Sequence, residues 1–282
     1  MEVFKDLALV LKTIAYQDRH RIVTALTQNH GQITVLAKNA IQSRRFGGSL
    51  DLFVVSEWQF TMKPGAELYF LNETQVRESF EGLRKDFQKL SLASVLNEVI
   101  LRITPEAVGS SDFFRLLFNS LTCITECQAG IEVPLLNAFL AKILQCSGHP
   151  PLLTQCASCD TRLEQLDPTV RLSLSISKAS WVCPTCSFQK TAHLQDRHGE
   201  SLEQVLKKLS VGMIQEIKTL LEVPIRQVPL HIRGSIPDHH ELFEFFEAFM
   251  IFHLPGFDRK PLNGIRFLGL KSNLQPEGAS RQ

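Results

Sequence analysis

Cys156-Ala157-Ser158-Cys159 and Cys183-Pro184-Thr185-Cys186 are the two stretches that say most about this chain. Two residues between the cysteines of each pair let both thiolates turn toward one point. The 23 residues from 160 to 182 are enough for a hairpin that brings the second pair to the first. We therefore predict a four-cysteine site with one Zn²⁺ per chain. Because four thiolates leave no position for a water molecule, this zinc is expected to hold a fold together and not to activate a nucleophile.

Two disulfides or four reduced, partly buried thiols are the alternatives for these cysteines, and the choice depends on the cellular compartment. The positions after the two pairs hold Asp160 and Ser187, where tight metal-binding turns often have Gly. The other cysteines, Cys123, Cys127 and Cys146, lie on apolar periodic segments and are expected to be small core residues. Reduced thiols and a zinc site both fit the interior of a cell.

The size and composition of the chain indicate an ordered protein of two or three packed domains, since it has 282 residues of which 44% are hydrophobic. It contains no run of about 18 or more apolar residues. Its first residues alternate charged positions with short apolar stretches instead of offering a signal-peptide core. We therefore predict a soluble, cytoplasmic protein without a membrane segment.

The first 75 residues read as short strands separated by turns. Five strands predict an OB-fold barrel, and the turns Asn29-His30-Gly31 and Lys63-Pro64-Gly65-Ala66 are suited to hairpins. Between these turns, residues 39–49 are expected to form a mobile loop that carries positive charge. The predicted strands are Leu7 to Ile14, Arg21 to Thr27, Gln32 to Ala37, Leu52 to Thr61 and Glu67 to Leu71.

From about Thr74 the hydrophobic period changes to that of a helix. Predicted helices run to Ile103, from a cap at Ser111-Asp112 through Ile124, and from Pro134 to Leu144; further helices cover residues 201–209, 210–221 and 238–253. The fold class is therefore α+β and multidomain, with an N-terminal five-stranded barrel and a helical domain into which the zinc module is inserted. The boundaries are 1–75 for an OB-fold DNA-binding domain, 76–150 and 191–282 for the helical domain, and 151–190 for the zinc module.

A basic edge on the barrel predicts nucleic-acid binding. Residues 1–50 hold seven Lys and Arg against three Asp and Glu, and neutralised phosphates supply binding energy without reading sequence. For each basic residue an ordinary solvated surface is the alternative. Phe46 beside the loop would stack on a base or, as we favour, anchor the loop. The candidate DNA contacts are Lys12, Arg19, Arg21, Lys38, Arg44 and Arg45.

The C-terminal region combines a phenylalanine-rich helix with nearby positive charge. Most of its rings are expected to be core, because they fall on two neighbouring helix faces. Cations beside large apolar residues are also the composition of a groove for an acidic peptide with an apolar end. The candidates for such a groove are Phe249, Arg259, Lys260 and Lys271.

Motifs of catalysis are missing from the sequence. It has no Gly-x-Ser-x-Gly elbow, no glycine-rich phosphate loop and no histidine-rich metal helix. The sequence therefore predicts a binding protein and not an enzyme.

Several stretches give the chain a resemblance to a known family. They are Asp18 to Thr27 with His30-Gly31 after it, Ala37 to Arg45, Phe139 to Pro151, and the cysteine pairs with Leu174 to Ser180 between them. In these stretches, and in the order of barrel, helical domain and four-cysteine module, the chain resembles the RecO family of bacterial recombination mediators. The resemblance covers most of the chain and is firmest from residues 5 to 190.

The resemblance implies a non-enzymatic DNA-binding protein of recombinational repair after DNA damage. Such proteins bind single- and double-stranded DNA, anneal complementary strands, associate with RecR, contact the acidic C-terminal tail of single-stranded DNA-binding protein and help RecA replace that protein. In this sequence the barrel and its Arg44-Arg45 loop would hold phosphates, and the region from Phe249 to Lys271 would receive the tail. The role implies a place at the nucleoid of the bacterial cytoplasm. The main rival is a zinc-ribbon and OB module that binds RNA in transcription or translation, which a preference for a 2′-hydroxyl would distinguish.

Overall fold

The computed structural model describes residues 2–41, 44–62, 68–104, 111–188, 206–257 and 260–272. The chain forms two compact units. The first holds residues 1–129 and 262–269, and the second holds residues 130–261 and 270–282.

The first unit contains a closed five-stranded barrel with the strand order β1-β2-β3-β5-β4. Neighbouring strands pair antiparallel, except that β3 and β5 pair parallel through Val35 with Tyr69 and Leu36 with Phe70. This confirms the predicted OB fold. The strands are β1 (Glu2–Tyr16), β2 (His20–Thr27), β3 (Gly31–Ala37), β4 (Val55–Met62) and β5 (Tyr69–Glu78).

Strand β1 is long because its two neighbours pair with largely different parts of it. Its first half pairs with β4 and its second half with β2, and the register shifts between Val10 and Lys12. This bulge lies at Leu11, whose carbonyl oxygen accepts a hydrogen bond of 2.5 Å from the side-chain amide of Asn97. Asn97 is buried on a helix of the same unit. The bulge is therefore closed by a polar side chain from outside the sheet.

The hairpin between β2 and β3 is fixed by the buried carboxylate of Asp6. It accepts hydrogen bonds from the backbone N–H of Asn29 (2.9 Å) and of His30 (3.2 Å), and lies 2.7 Å from the His30 ring nitrogen. A buried carboxylate needs such donors, because an unpaired one is costly. Inside the barrel, small and branched residues pack with the aromatic side chains of Phe46, Trp58 and Phe60.

Helices complete the first unit. They are α1 (Phe87–Ile103) and α2 (Ser111–Glu126), with short 3₁₀ helices at Glu81–Lys85 and Ile265–Leu268. The prediction that helical structure begins near Thr74 was wrong, because β5 continues to Glu78. Residues 74–78 have no apolar alternation of their own, and their pairing with β4 determines their conformation.

In its described residues the second unit combines three long helices with a small antiparallel sheet. The helices are α3 (Glu132–Cys146), α4 (Val211–Glu222) and α5 (Ile236–His253); the strands are β6 (Arg171–Ser175), β7 (Ser180–Val182) and β8 (Leu206–Ser210), in the order β7-β6-β8. The predicted helix over 201–209 was wrong for residues 206–209, which form β8. Residues 201–205 lie outside the described segments. The hydrophobic pattern of these residues suits a helix or a strand, and their pairing with the open edge of β6 makes them a strand.

The phenylalanine-rich helix is confirmed as core. Phe243, Phe245, Phe246 and Phe249 on α5 are each at most 1% exposed. A Ser235–Asp238 capping box begins this helix. Across the described ranges, no helix is both long enough and apolar enough to cross a membrane.

We expect Asn97→Ala to lower the free energy of unfolding by about 2 kcal/mol, because the Leu11 carbonyl would lose its buried donor. Denaturant unfolding followed by circular dichroism measures this change. Gln88→Ala on the exposed side of the same helix is the control and should change stability by less than about 0.5 kcal/mol. Equal stability of the two variants would contradict a role for Asn97 at the bulge.

Candidate metal centre and nucleic-acid interface

The first cysteine pair lies on a tight turn of the second unit. An isolated antiparallel bridge joins Gln155 to Arg162. Within it, the backbone N–H of Cys156 donates to the carbonyl of Thr161 at 2.9 Å, and the Ser158 N–H points to the Cys156 sulfur at 3.4 Å. The chain therefore folds back over five residues, which directs Sγ of Cys156 and Cys159 to one side.

The second pair follows directly from the β6–β7 hairpin. Cys183 is the first residue after β7, and a helical turn over residues 184–188 places the Cys186 N–H 3.4 Å from the Cys183 sulfur. The two pairs are joined by the backbone, since the Cys183 N–H donates to the Cys156 sulfur at 3.3 Å. The Ala157 N–H donates to the carbonyl of Trp181 at 2.8 Å. The hairpin thus delivers the second pair as its spacing predicted.

The four sulfur atoms form one cluster. All lie within 4.8 Å of one another, and Sγ of Cys159 and Cys183 are 3.8 Å apart. A tetrahedral metal with bonds to sulfur of about 2.3 Å needs sulfur atoms about 3.8 Å apart, so the cluster has the dimensions of a four-thiolate site. All four cysteines are free, so the structure does not adopt the disulfide alternative.

The pKa values of two thiols in the cluster shift in opposite directions. Hydrogen bonds from the side chain and backbone of Thr161 lower the pKa of Cys159 to about 6. The neighbouring thiols of Cys183 and Cys159 raise the pKa of Cys186 to about 12. Four thiolates this close repel one another unless a cation lies between them. Soft sulfur donors in a closed shell are typical of a structural metal ion.

The remaining cysteines lie apart from this cluster. Cys123 is buried in α2, as predicted for a core residue, and its sulfur lies 3.4 Å from that of Cys127. Cys127 is only half-buried, so the prediction holds for it in part. Cys146 is exposed at the end of α3, so its assignment to the core was wrong. It lies on the last turn of the helix, where the buried face has ended.

The basic residues predicted to bind DNA gather mostly at one end of the barrel. Arg19 is in the β1–β2 turn, and its carbonyl accepts from the Ile41 N–H at 3.1 Å, which ties this turn to the loop after β3. Arg21 forms an ion pair of 3.7 Å with Asp51 at the end of the same loop. Arg44 and Arg45 are exposed on this loop.

Lys12 lies on the outer face of β1 and β2, and Lys38 is the exposed residue directly after β3. Lys12 is opposite Thr24, and the Lys38 ammonium nitrogen lies 4.9 Å from the centre of the Phe70 ring. Ile14 and Tyr16 on the same face are 45% and 42% exposed. Aromatic and aliphatic surface beside cations suits a single strand, whose bases stack while its phosphates pair with charge.

Sequence reasoning missed Tyr16 and Phe70 as parts of this face. The outward direction of Tyr16 follows from the strand register after the Leu11 bulge, and that of Phe70 on β5 from its pairing with Leu36; alternation of hydrophobicity alone does not show either. Phe46 was predicted to anchor its loop, and this is confirmed, because it is 3% exposed within the barrel core.

The candidates for peptide binding are less well placed. Phe249 is 1% exposed, so its ring is not available to a peptide, and the exposed ring of α5 is that of Phe252. Lys260 and Lys271 are exposed, and Arg259 lies outside the described residues. Exposed cations are therefore present in this region, but the Phe249 ring that was predicted to accompany them is buried.

Comparison with known proteins gives consistent matches along the chain. Residues 1–80 match the family model "Recombination protein O N terminal", and residues 84–226 match "Recombination protein O C terminal". A DNA repair protein RecO from Desulfosudis oleivorans is 27% identical over 257 residues, which are 90% of this chain and 94% of the relative. One from Desulforamulus reducens is 24% identical over 97% of this chain and 98% of the relative. One from Desulfatibacillum aliphaticivorans is 34% identical over 64% and 69%.

Replacing Cys159 by Ser should lower the metal content from about one ion per chain and lower the melting temperature together, because metal-binding free energy is folding free energy in such modules. Elemental analysis of protein purified without chelator and thermal melting measure the two effects. Cys146→Ser, outside the cluster, should change neither. Protein that contains no metal, with Cys183 and Cys186 joined as a disulfide, would contradict the metal centre.

Proposed function

Since the chain belongs to the RecO family, we propose that it is a DNA-binding recombination mediator and strand-annealing protein of DNA repair. It binds single- and double-stranded DNA, acts with RecR and helps RecA load onto DNA that is covered by single-stranded DNA-binding protein. It works by binding and not by catalysis. Its place is the bacterial cytoplasm, at the nucleoid.

One observation carries the DNA-binding proposal: basic side chains meet at one end of an OB barrel beside an exposed face of β1, β2 and β3. Oligonucleotide-binding OB folds use this face. The tie between the Arg19 turn and the loop of Arg44 and Arg45 holds several cations together. Such a cluster meets successive phosphates of one strand, and Tyr16 and Ile14 offer stacking surface next to it.

Strand annealing follows from this mode of binding. A protein that neutralises phosphates lowers the repulsion between two strands, while contacts that ignore sequence leave the base edges able to pair. Contacts to phosphates also explain how one protein holds both single strands and duplexes. We assign this binding to residues 1–75 and the loop within them.

The metal is proposed to be one structural Zn²⁺, bound by Cys156, Cys159, Cys183 and Cys186. The four sulfur donors and their tetrahedral dimensions fit zinc. When bound, the ion neutralises the thiolates and cross-links the two turns. The protein itself contributes the N–H groups that point to sulfur and the Thr161 contact that orients Cys159.

Replacing Arg44 and Arg45 by Ala should weaken binding to unrelated DNA sequences by similar factors. It should also flatten the plot of log affinity against log salt by up to about 1.8, at roughly 0.7–0.9 for each lost phosphate contact. Fluorescence anisotropy at several salt concentrations measures both. Arg115→Ala with Arg162→Ala removes the same charge from other exposed positions and should leave the slope unchanged. An unchanged slope in the Arg44 and Arg45 variant would move the site elsewhere.

A matched RNA strand in the same titration tests the rival function. We expect the single-stranded DNA to bind at least as tightly as the RNA, since none of the proposed contacts needs a 2′-hydroxyl. A clear preference for RNA would support the RNA-binding module instead.

Charge reversal of Arg259 and Lys260 to Glu should abolish binding of the acidic tail peptide of single-stranded DNA-binding protein, because cations must meet its carboxylates. Affinity for bare single-stranded DNA should stay mostly intact. Peptide titration by calorimetry measures the first effect and anisotropy the second. Native peptide affinity in this variant would place the tail at another surface.

A further inference from the structure

Two exposed aromatic rings touch each other on the first unit. Phe87 is 61% exposed and Phe267 is 41% exposed, and their centroids are 5.2 Å apart in an edge-to-face arrangement. Two exposed rings in contact form a continuous apolar surface, and such surface is a candidate for binding when charged groups surround it. Phe87, Phe267 and the neighbouring Arg266 are together called the aromatic patch.

Both rings are held by rigid elements. Phe267 lies in the 3₁₀ helix Ile265–Leu268, and the preceding Asn263 donates from its backbone and its side chain to Glu98 of α1, each at 2.8 Å. Gly264 lies so close to α1 that a Cβ atom there would be 2.7 Å from a methyl group of Val95. This approach fixes Phe267 against the helix that carries Phe87.

Phe87 itself is the first residue of α1. The Asp86 side chain caps this helix by accepting from the backbone N–H groups of Gln88 at 2.8 Å and Lys89 at 3.1 Å. The Asp86 carboxylate is therefore directed at the start of its own helix. A ring fixed at a capped helix start loses little conformational freedom when a ligand stacks on it.

The surroundings of the patch are positively charged. The guanidinium carbon of Arg266 lies 4.7 Å from the centre of the Phe267 ring. Lys85 is exposed two residues before Phe87. Arg84 donates to the carbonyl of Leu52 at 3.1 Å, and Leu52 belongs to the barrel loop that carries Arg44 and Arg45. Arg84, Lys85 and Arg266 thus add positive charge to the same unit that carries the Arg44 and Arg45 loop.

We propose that the aromatic patch is a second contact for single-stranded DNA, which extends the barrel site and rests on the proposed function. An unpaired base offers a flat face to the Phe87 ring, while Arg266 and Lys85 pair with the flanking phosphates. The rings project into solvent, which suits stacking of a base. A peptide side chain would instead need a pocket to enter. Bases in a duplex are already stacked, so the contact is specific to single strands.

The test compares Phe87→Ala with Phe252→Ala, which removes a ring of nearly equal exposure (60%) from the other unit. Anisotropy uses an oligo(dT) of about 30 nucleotides, longer than the roughly 4–16 nucleotides that one OB fold covers. We expect Phe87→Ala to weaken binding by about fivefold or more, as for the loss of one stacked base. Duplex affinity and the salt slope should not change, because no phosphate contact is lost. Phe252→Ala should bind like the unaltered protein.

A Phe87→Trp variant gives a second measurement that does not depend on loss of affinity. Trp58 and Trp181 are both 0% exposed, so the new indole is the solvent-facing one among the described residues. Oligo(dT) should quench its fluorescence while affinity stays near that of the unaltered protein. Thermal melting of each variant shows that it is folded.

Three results would overturn the proposal: full affinity in Phe87→Ala, no quenching in Phe87→Trp, or equal loss for duplex and single strand. If Phe87→Ala keeps its DNA affinity but loses the acidic tail peptide, the patch binds protein instead. If the unaltered protein binds no DNA, the proposed function fails. If it binds DNA and only the Arg44 and Arg45 variant is impaired, the proposed function stands and the patch has no part in it.

Discussion

The hydrogen bond from Asn97 to the Leu11 carbonyl is the contact on which the first unit depends most. In this closed barrel β1 pairs with β4 through its first half and with β2 through its second half, and its pairing with β2 changes register at Leu11. The change leaves one buried carbonyl without a ladder partner, and α1 supplies the donor. Barrel and helix are therefore parts of one core, and α1 in turn supports the 3₁₀ segment that carries Phe267.

The second unit follows a different physical logic. Its sheet is small. Its four sulfur atoms repel one another when ionised, so a cation between them would stabilise this region. The same N–H groups that point to sulfur also join the two cysteine turns. The four cysteines could hold a metal ion, and an ion held by all four sulfur atoms would have no open position for chemistry.

The sequence predicted what depends on local pattern. Alternating hydrophobicity located the five strands, and the spacing of Cys156, Cys159, Cys183 and Cys186 located the cluster, since both are set within a few residues. It did not predict what depends on pairing. Residues 206–210 form a strand because β6 has an open edge, and Tyr16 faces outward because of the bulge at Leu11.

The candidate DNA surface shows the same division. The adjacent pair of Arg44 and Arg45 was visible as charge on a loop, whereas the approach of Arg19 to that loop comes from a backbone contact with Ile41. The exposed rings of Phe87 and Phe267 are 180 residues apart in sequence and meet only through the packing of residues 262–269 on α1.

Strand β8 gives the order in which the second unit can assemble during synthesis. It pairs with β6 through five residue pairs, whereas β7 pairs with β6 through three. Most of the pairing in this sheet therefore involves β8, the strand that is synthesised last. A nascent chain that has left the ribosome up to residue 188 already carries all four cysteines but not this strand. The four cysteines can therefore come together before the sheet is complete, and the β6–β7 hairpin would give β8 a preformed edge on which to add.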